Sequence, residues 1–330
     1  MARTVIVTGG CGYIGSHVAR AFKQNGDRVF IIDEVLREHT IKDIDGHWIG
    51  DFAQPASLAL LHSLAPDVIV HCAGTSLVGP SMVNPAEYYD NNISKTITLL
   101  NFVKDLDKLP LIMFSSSASV YGEATDAPIR ENARISPISP YGNTKAMTET
   151  ILDDYWQAYT LQYVCFRYFN AAGAEPFNFD LGQAPNATHL VARACDASIN
   201  NRAITINGDD FNTVDGTCVR DYIHVWDIAM AHVLAANKCL AGVNHQGPRW
   251  SDSSYTFNLG TNTGISNKEI VDYVANKYGV PFVNYSIRRD GDPAILIADA
   301  SHARQILGWS PVYSNINTII DSAYKWYTNK

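Results

Sequence analysis

In the run Pro140-Tyr141-Gly142-Asn143-Thr144-Lys145 a phenol and an ammonium stand four residues apart. That is one helical turn, so both side chains share a helix face. A phenol near pKa 10 is a poor base at neutral pH, but a neighbouring ammonium and a cationic ligand would both favour the phenolate. Lowered toward about 7, it can take a proton from a hydroxyl while a hydride leaves the same carbon. Tyr-x-x-x-Lys alone is common on helices. It gains meaning from Phe114-Ser115-Ser116-Ser117-Ala118-Ser119-Val120-Tyr121-Gly122, at the end of an apolar strand-like run. In an open α/β sheet ligands lie beyond the carboxyl ends of strands, where Ser117 would hydrogen-bond the reacting oxygen.

An acceptor for the hydride is suggested by Gly9-Gly10-Cys11-Gly12-Tyr13-Ile14-Gly15, which follows the first apolar run and opens a helical pattern. Glycines at 9, 12 and 15 allow a tight turn, close approach of backbone N–H groups to a pyrophosphate, and close helix-on-strand packing. A glycine triplet by itself is weak evidence. The strand–turn–helix context and Asp33, ending the second strand-like run, turn it into a dinucleotide site. Asp33 would accept from an adenosine ribose and repel a 2′-phosphate, which favours NAD over NADP. Asp51, in Gly50-Asp51-Phe52, is either a plain turn residue or a carboxylate near the adenine amino group.

These groups need elements to hold them. Short β-rich runs at 4–8, 28–32, 47–49, 68–71, 111–114 and 163–166 alternate with helical spacing near 13–25, 54–63, 85–105 and 141–159. Such alternation predicts an α/β fold, a Rossmann-type doubly wound parallel sheet. After Asn170 the elements are shorter and mixed, with helical patterns near 187–200, 224–240, 266–278 and 314–328. The expected division is an NAD-binding domain over 1–170 and a smaller mixed α/β substrate domain over 171–330. Segments near 224–260, including the strand-like Tyr255 to Leu259, would return to the first domain. Gly242 to Ser254 reads as a surface loop.

The chain has 330 residues, 46% hydrophobic and 18% charged, with 25 basic against 33 acidic side chains and a net charge of −8. An acidic balance argues against a nucleic-acid groove or an anionic membrane surface, yet a few local donors can hold a small anion. Met1 to Thr4 runs straight into Val5, with no room for a secretory signal, and no apolar window is long enough to span a bilayer, so a cytoplasmic location is expected. The six cysteines are far apart and the histidines lack ligand spacing, so neither a disulfide framework nor a metal site is expected.

With these residues in hand, the chain resembles the extended short-chain dehydrogenase/reductases, and within them the UDP-sugar 4-epimerases. The likeness runs through GGCGYIGSH, HCAG, EYYDNN, FSSSASVYG, SPYGNTK, RYFNAAGA, DGTCVRDYIHVWD, FNLGTNTG and RRDGDP, covering nearly the whole chain. It implies NAD-dependent interconversion of UDP-glucose and UDP-galactose by transient oxidation at sugar carbon 4, in a homodimer packed through helices near 85–105 and 141–159. Ser117, Tyr141 and Lys145 would be the catalytic trio. Gly9, Gly12, Tyr13, Ile14, Gly15, Asp33, Asp51, Phe52, Cys72, Ala73, Gly74, Ser76, Asn91, Ser115 and Tyr168 would line NAD with Tyr141 and Lys145. On the substrate side, Asn170 would sit by the sugar diphosphate, Arg220 and Arg289 at the phosphates, and Asp292 at the ribose. His189, Leu190 and Thr205 would complete that UDP-sugar site.

Four positions depart from the resembling pattern. His189 stands where an asparagine is frequent. Ser76 stands where a lysine is usual, removing a cation. Asn207 stands where an aromatic residue often stacks on uracil. Leu296, at the hexose pocket, is bulky and should favour glucose and galactose over N-acetyl sugars. A UDP-N-acetylhexosamine or UDP-pentose epimerase, a dehydratase or reductase, and an inactive NAD-binding regulatory protein are the alternatives. Dehydration is disfavoured because Ala118 and Ser119 replace the acid and base that resembling dehydratases carry, and the intact trio argues against an inactive protein.

Overall fold

The computed structural model describes residues 2–124, 127–184, 188–240, 256–279, 282–289 and 292–329; the loop expected at Gly242–Ser254 lies outside these. Strands β1 (Thr4–Thr8), β2 (Arg28–Asp33), β3 (Gly46–Ile49), β4 (Val68–His71), β5 (Leu111–Ser117) and β6 (Tyr163–Tyr168) come first. They are followed by short strands β7 (Asn170–Ala172), β8 (Ile204–Asn207), β9 (Val219–Arg220) and β10 (Tyr222–His224), then β11 (Thr256–Leu259), β12 (Ile265–Ser266), β13 (Val283–Ser286) and β14 (Ile295–Leu296). The helices are α1 (Tyr13–Gln24), α2 (Pro55–Leu64), α3 (Val78–Val83), α4 (Pro85–Tyr89), α5 (Lys95–Val103), α6 (Pro140–Tyr159), α7 (Leu190–Ile199), α8 (Val225–Leu240), α9 (Asn267–Tyr278), α10 (Ser301–Leu307) and α11 (Ile316–Thr328).

Seven strands form one sheet in the order β11-β6-β5-β4-β1-β2-β3, every pair parallel. This is a Rossmann-type doubly wound α/β sheet, whose strand order reverses between β1 and β4, the crevice where such sheets take ligands. Period-two alternation explains why the strands read as continuous apolar runs. Val5 and Val7 pack with α1 and α8 through Val18, Phe22 and Ile228. Ile6 points the other way, packing with α2, α5 and α6 through Leu61, Leu99 and Leu152. β11 pairs with β6, so a strand from late in the chain completes the early sheet.

Prolines at the first turns of α2, α4 and α6 start those helices where a missing N–H costs nothing. Ser139 caps α6 by accepting from Gly142 N at 3.1 Å. The helical pattern near 85–105 is interrupted: a wider π turn over Asp90–Ser94 joins α4 to α5. Helices α7, α9 and α11 pack with β8 around Ile206, Ile270 and Ile320 in a separate apolar cluster. Among the described residues no helix is long and apolar enough to cross a membrane, and no group of three His, Cys, Asp or Glu is placed to hold a metal.

Candidate active site

The glycine turn lies at the strand-order reversal. A Cβ on Gly15 would fall 2.2 Å from Gly9 O, and one on Gly9, whose φ is +69°, would fall 2.6 Å from Ala73 N, at the end of β4. The backbone at both places therefore needs glycine. α1 starts at Gly12 with no side-chain cap, so the first-turn amides of Tyr13, Ile14 and Gly15 are free of intrahelical acceptors and suit an anion. Asp33 accepts from Cys11 N and from Val35 N, each at 2.9 Å, and a carboxylate keeps further lone pairs for ribose hydroxyls. Tyr13 turns its phenol away, donating to Gly173 O at 2.7 Å; only its backbone faces the turn's work.

Other expected cofactor positions border the same crevice. Cys72 and Ala73 follow β4, and Gly74 has φ +145° against Asn92. Asn91 donates to Thr75 Oγ1 at 3.0 Å, Phe52 meets His71 edge to face at 4.9 Å, and Asp51 is ion-paired with Lys95 at 2.8 Å. Ser115 Oγ lies 3.0 Å from Cys72 Sγ and 2.9 Å from Tyr168 Oη, which in turn reaches His232 Nε2 at 2.9 Å. His232 Nδ1 must donate to Ile228 O, so Nε2 accepts and Tyr168 Oη is the donor between them. Burial lowers His232 to about 4, keeping it neutral.

β5 ends at Ser117, in register with Tyr168 of β6, and α6 enters immediately beneath. Ser117 Oγ accepts from Ser119 N at 3.2 Å. Tyr141 and Lys145 share the inner face of α6 and are 9% and 6% exposed. The Lys145 ammonium rests over Phe114 at 4.7 Å and Tyr141 at 5.7 Å from the ring centres. Burial pulls Lys145 down to about 8. The phenol is not lowered as its spacing from Lys145 suggested: burial pushes Tyr141 up to about 12, with only Ser117 favouring the phenolate. Desolvation of the phenolate outweighs the hydrogen bond from Ser117.

Beside this trio opens a cavity of about 770 Å³ whose wall includes Ala118, Ser119 and Ser139, neighbours of Ser117 and Tyr141. Ser76, Asn170, His189, Leu190, Thr205, Asn207, Arg220, Arg289, Asp292 and Leu296 all line it. Residues scattered over more than two hundred positions of sequence thus meet in one space. Ser117, Tyr141 and the glycine turn lie outside its lining, adjoining it. Arg220 Nη2 lies 3.6 Å from Asp292 Oδ1, so the two groups expected at phosphate and ribose are already paired. His189 contacts Gln183, and burial lowers its pKa. Sequence reasoning missed Arg193, which also lines the cavity, and Lys95, the partner of Asp51; neither sits in a motif, and only the fold brings them in.

The family of NAD dependent epimerases/dehydratases matches residues 5–260. The chain is 39% identical to a UDP-glucose 4-epimerase of Halalkalibacterium halodurans, over 98% of this chain and 95% of that one. It is 38% identical to one of Streptococcus mutans, over 98% and 97%. A crystal structure of UDP-glucose 4-epimerase from Brucella ovis in complex with NAD superimposes with a TM-score of 0.89 at 38% identity, covering 98% of each chain. One from Bifidobacterium longum, in complex with NAD+ and UDP, superimposes with a TM-score of 0.87 at 33% identity, over 99% and 98%. Sheet order, glycine turn, catalytic spacing and these likenesses agree, and the chain belongs to the NAD dependent epimerase/dehydratase family.

Proposed function

We propose that the chain interconverts UDP-glucose and UDP-galactose at sugar carbon 4, with NAD as cofactor. The observation that carries this is a cavity that gathers three arginines and is walled by Ala118, Ser119 and Ser139, the sequence neighbours of Ser117 and Tyr141. Relatives named UDP-glucose 4-epimerase over nearly the full chain support it. The glycine turn fits a pyrophosphate: its first-turn amides are open, and a Cβ at Gly9 or Gly15 would clash. Gly9, Gly12, Tyr13, Ile14 and Gly15 would hold it by backbone, with Asp33 on the adenosine ribose. Asp51, Phe52, Cys72, Ala73, Gly74, Ser76, Asn91, Ser115 and Tyr168 would line the rest. NAD, when bound, supplies a hydride acceptor that can return the hydride.

The chain's own groups handle the proton and the pose. Tyr141 Oη takes the proton of the 4′-hydroxyl while Ser117 Oγ holds the reacting oxygen, and the Lys145 ammonium stabilises the phenolate. Arg220 and Arg289 anchor the diphosphate, with Asn170, His189, Leu190, Thr205, Asn207 and Asp292 around the nucleotide. Fixing the nucleotide lets the 4-keto sugar turn about its diphosphate link and present its other face, separating binding energy from reaction geometry. In this reading residues 1–170 hold NAD and 171–330 mainly the UDP-sugar. The protein works as a cytoplasmic homodimer through helices near 85–105 and 141–159, where Tyr89, Met147 and Tyr159 stand exposed. A net charge of −8 favours this small anion over nucleic acid or membrane.

Leu296 lines the cavity and supports hexoses over N-acetylhexosamines. The purified chain is given UDP-galactose or UDP-N-acetylgalactosamine, and the products are separated by anion exchange. UDP-glucose is expected to form faster than the N-acetyl product. No product from UDP-galactose would refute the function, and faster turnover of the N-acetyl sugar would refute the preference.

A further inference from the structure

Strand β8 turns Thr205 and Asn207 toward the cavity, and neither carries a ring. Two guanidinium groups gather there instead. Arg289 donates from Nε at 3.0 Å and Nη2 at 2.9 Å to the amide oxygen of Asn207, whose nitrogen donates to Ser286 Oγ at 2.9 Å. The oxygen must face Arg289, because a guanidinium has only donors. Two donors converging on one oxygen fix the plane of the group, where a single contact would let it swing.

Arg193, in the first turn of α7, is tied to the same strand: Nη2 donates to Thr205 O at 3.0 Å. Burial, and then the charge of Arg289, hold its guanidinium below the usual range, so the two cations feel one another. Of the three arginines lining the cavity, only Arg220 has a carboxylate partner among the described residues, Asp292. Two unneutralised cations held close cost energy in a partly desolvated wall. In a chain of net charge −8, a local surplus of this kind is matched by a dianion, whose phosphate oxygens suit planar guanidinium donors.

We propose that the nucleotide end of the cavity holds uridine diphosphate by charge rather than by base stacking: Asn207 orients Arg289, and Arg193 completes a guanidinium pair on the diphosphate. This rests on the UDP-sugar reading above and adds to it a binding residue, Arg193, and a positioning residue, Asn207.

Calorimetric titration of the purified full-length chain with UDP and, separately, with uridine tests the pair. Arg193→Leu should weaken UDP about tenfold or more, leave uridine within about twofold, and flatten the fall of UDP affinity with added salt. Arg193→Lys, which keeps the charge, should recover most of the loss. Asn207→Asp keeps an oxygen toward Arg289 but cancels its charge, so it too should weaken UDP and spare uridine. Thermal unfolding midpoints identify any variant that has lost its fold, and Arg193→Lys then decides. Equal losses for UDP and uridine, or UDP affinity indifferent to Arg193→Leu, would overturn the pair while leaving the UDP-sugar reading intact. No UDP binding by the unaltered chain would overturn that reading, and the pair with it.

Discussion

The two ends of the crevice are built from different materials. At the glycine turn the working surface is backbone: amide N–H groups of α1, packed so tightly against β4 that a single added carbon has no room. At the nucleotide end it is side chain: Arg193 from α7, Asn207 from β8, Arg220 from β9 and Arg289 just past β13. A surface of backbone tolerates almost no change at its glycines. A surface of side chains can exchange members provided the summed charge and reach survive.

The sharpest way to break this contrast is at the place where neither material suffices, the reacting centre. Tyr141→Phe removes the proton acceptor and should lower kcat with UDP-galactose by about a thousandfold or more, with UDP affinity unchanged; near-normal turnover would remove Tyr141 from the chemistry. Next comes the backbone end. Gly15→Ala drives a Cβ into Gly9 O and should cost about 2 to 3 kcal/mol in urea unfolding, together with loss of NAD that copurifies, read by chromatography of acid extracts. A variant that kept both would show that the turn has slack. At the side-chain end Arg220→Ala also strands Asp292. It should raise KM for UDP-galactose about twentyfold while leaving the unfolding midpoint and NAD content near normal; a matching loss of NAD would mean that the two ends are not separable.

The smallest effect is a pH dependence. Lys145 has a folded-state pKa of about 8, below the usual 10.5, so between those values the unfolded chain binds more protons and stability rises with pH. Below about pH 8 the folded protein carries the full cost of a buried ammonium. Relative to Lys145→Met, the unaltered chain should gain about 1.5 kcal/mol between pH 8 and 9.5, read as the difference of two urea unfolding series. A flat difference would mean that the ammonium is already solvated.

The same division explains what could be read in the sequence. β1, β2, β4, β5 and β6 announce themselves because both faces of the sheet are covered, leaving uninterrupted apolar runs, and Pro55, Pro85 and Pro140 mark helix starts. The glycine turn is legible because its spacing is itself the mechanism. β9, β12 and β14 are two residues each, too short to show any period, and α3 and α10 are short helices that carry none. Arg193 sits in an apolar helix among Ala192, Ala194 and Cys195, where nothing local separates a ligand from a snorkelling surface residue. The high pKa of Tyr141 could not be foreseen from spacing, because it comes from how completely the fold buries the ring.

The late strand β11 has a consequence for how the protein is made. The free edge of β6 has no partner until Thr256–Leu259 arrives, after Arg193 and Arg220 but before Arg289. During synthesis the early sheet must wait with that edge open, a template for wrong pairing. The early and late parts of the chain are therefore kinetically bound together: a chain stopped after residue 170 would be left as an unfinished sheet.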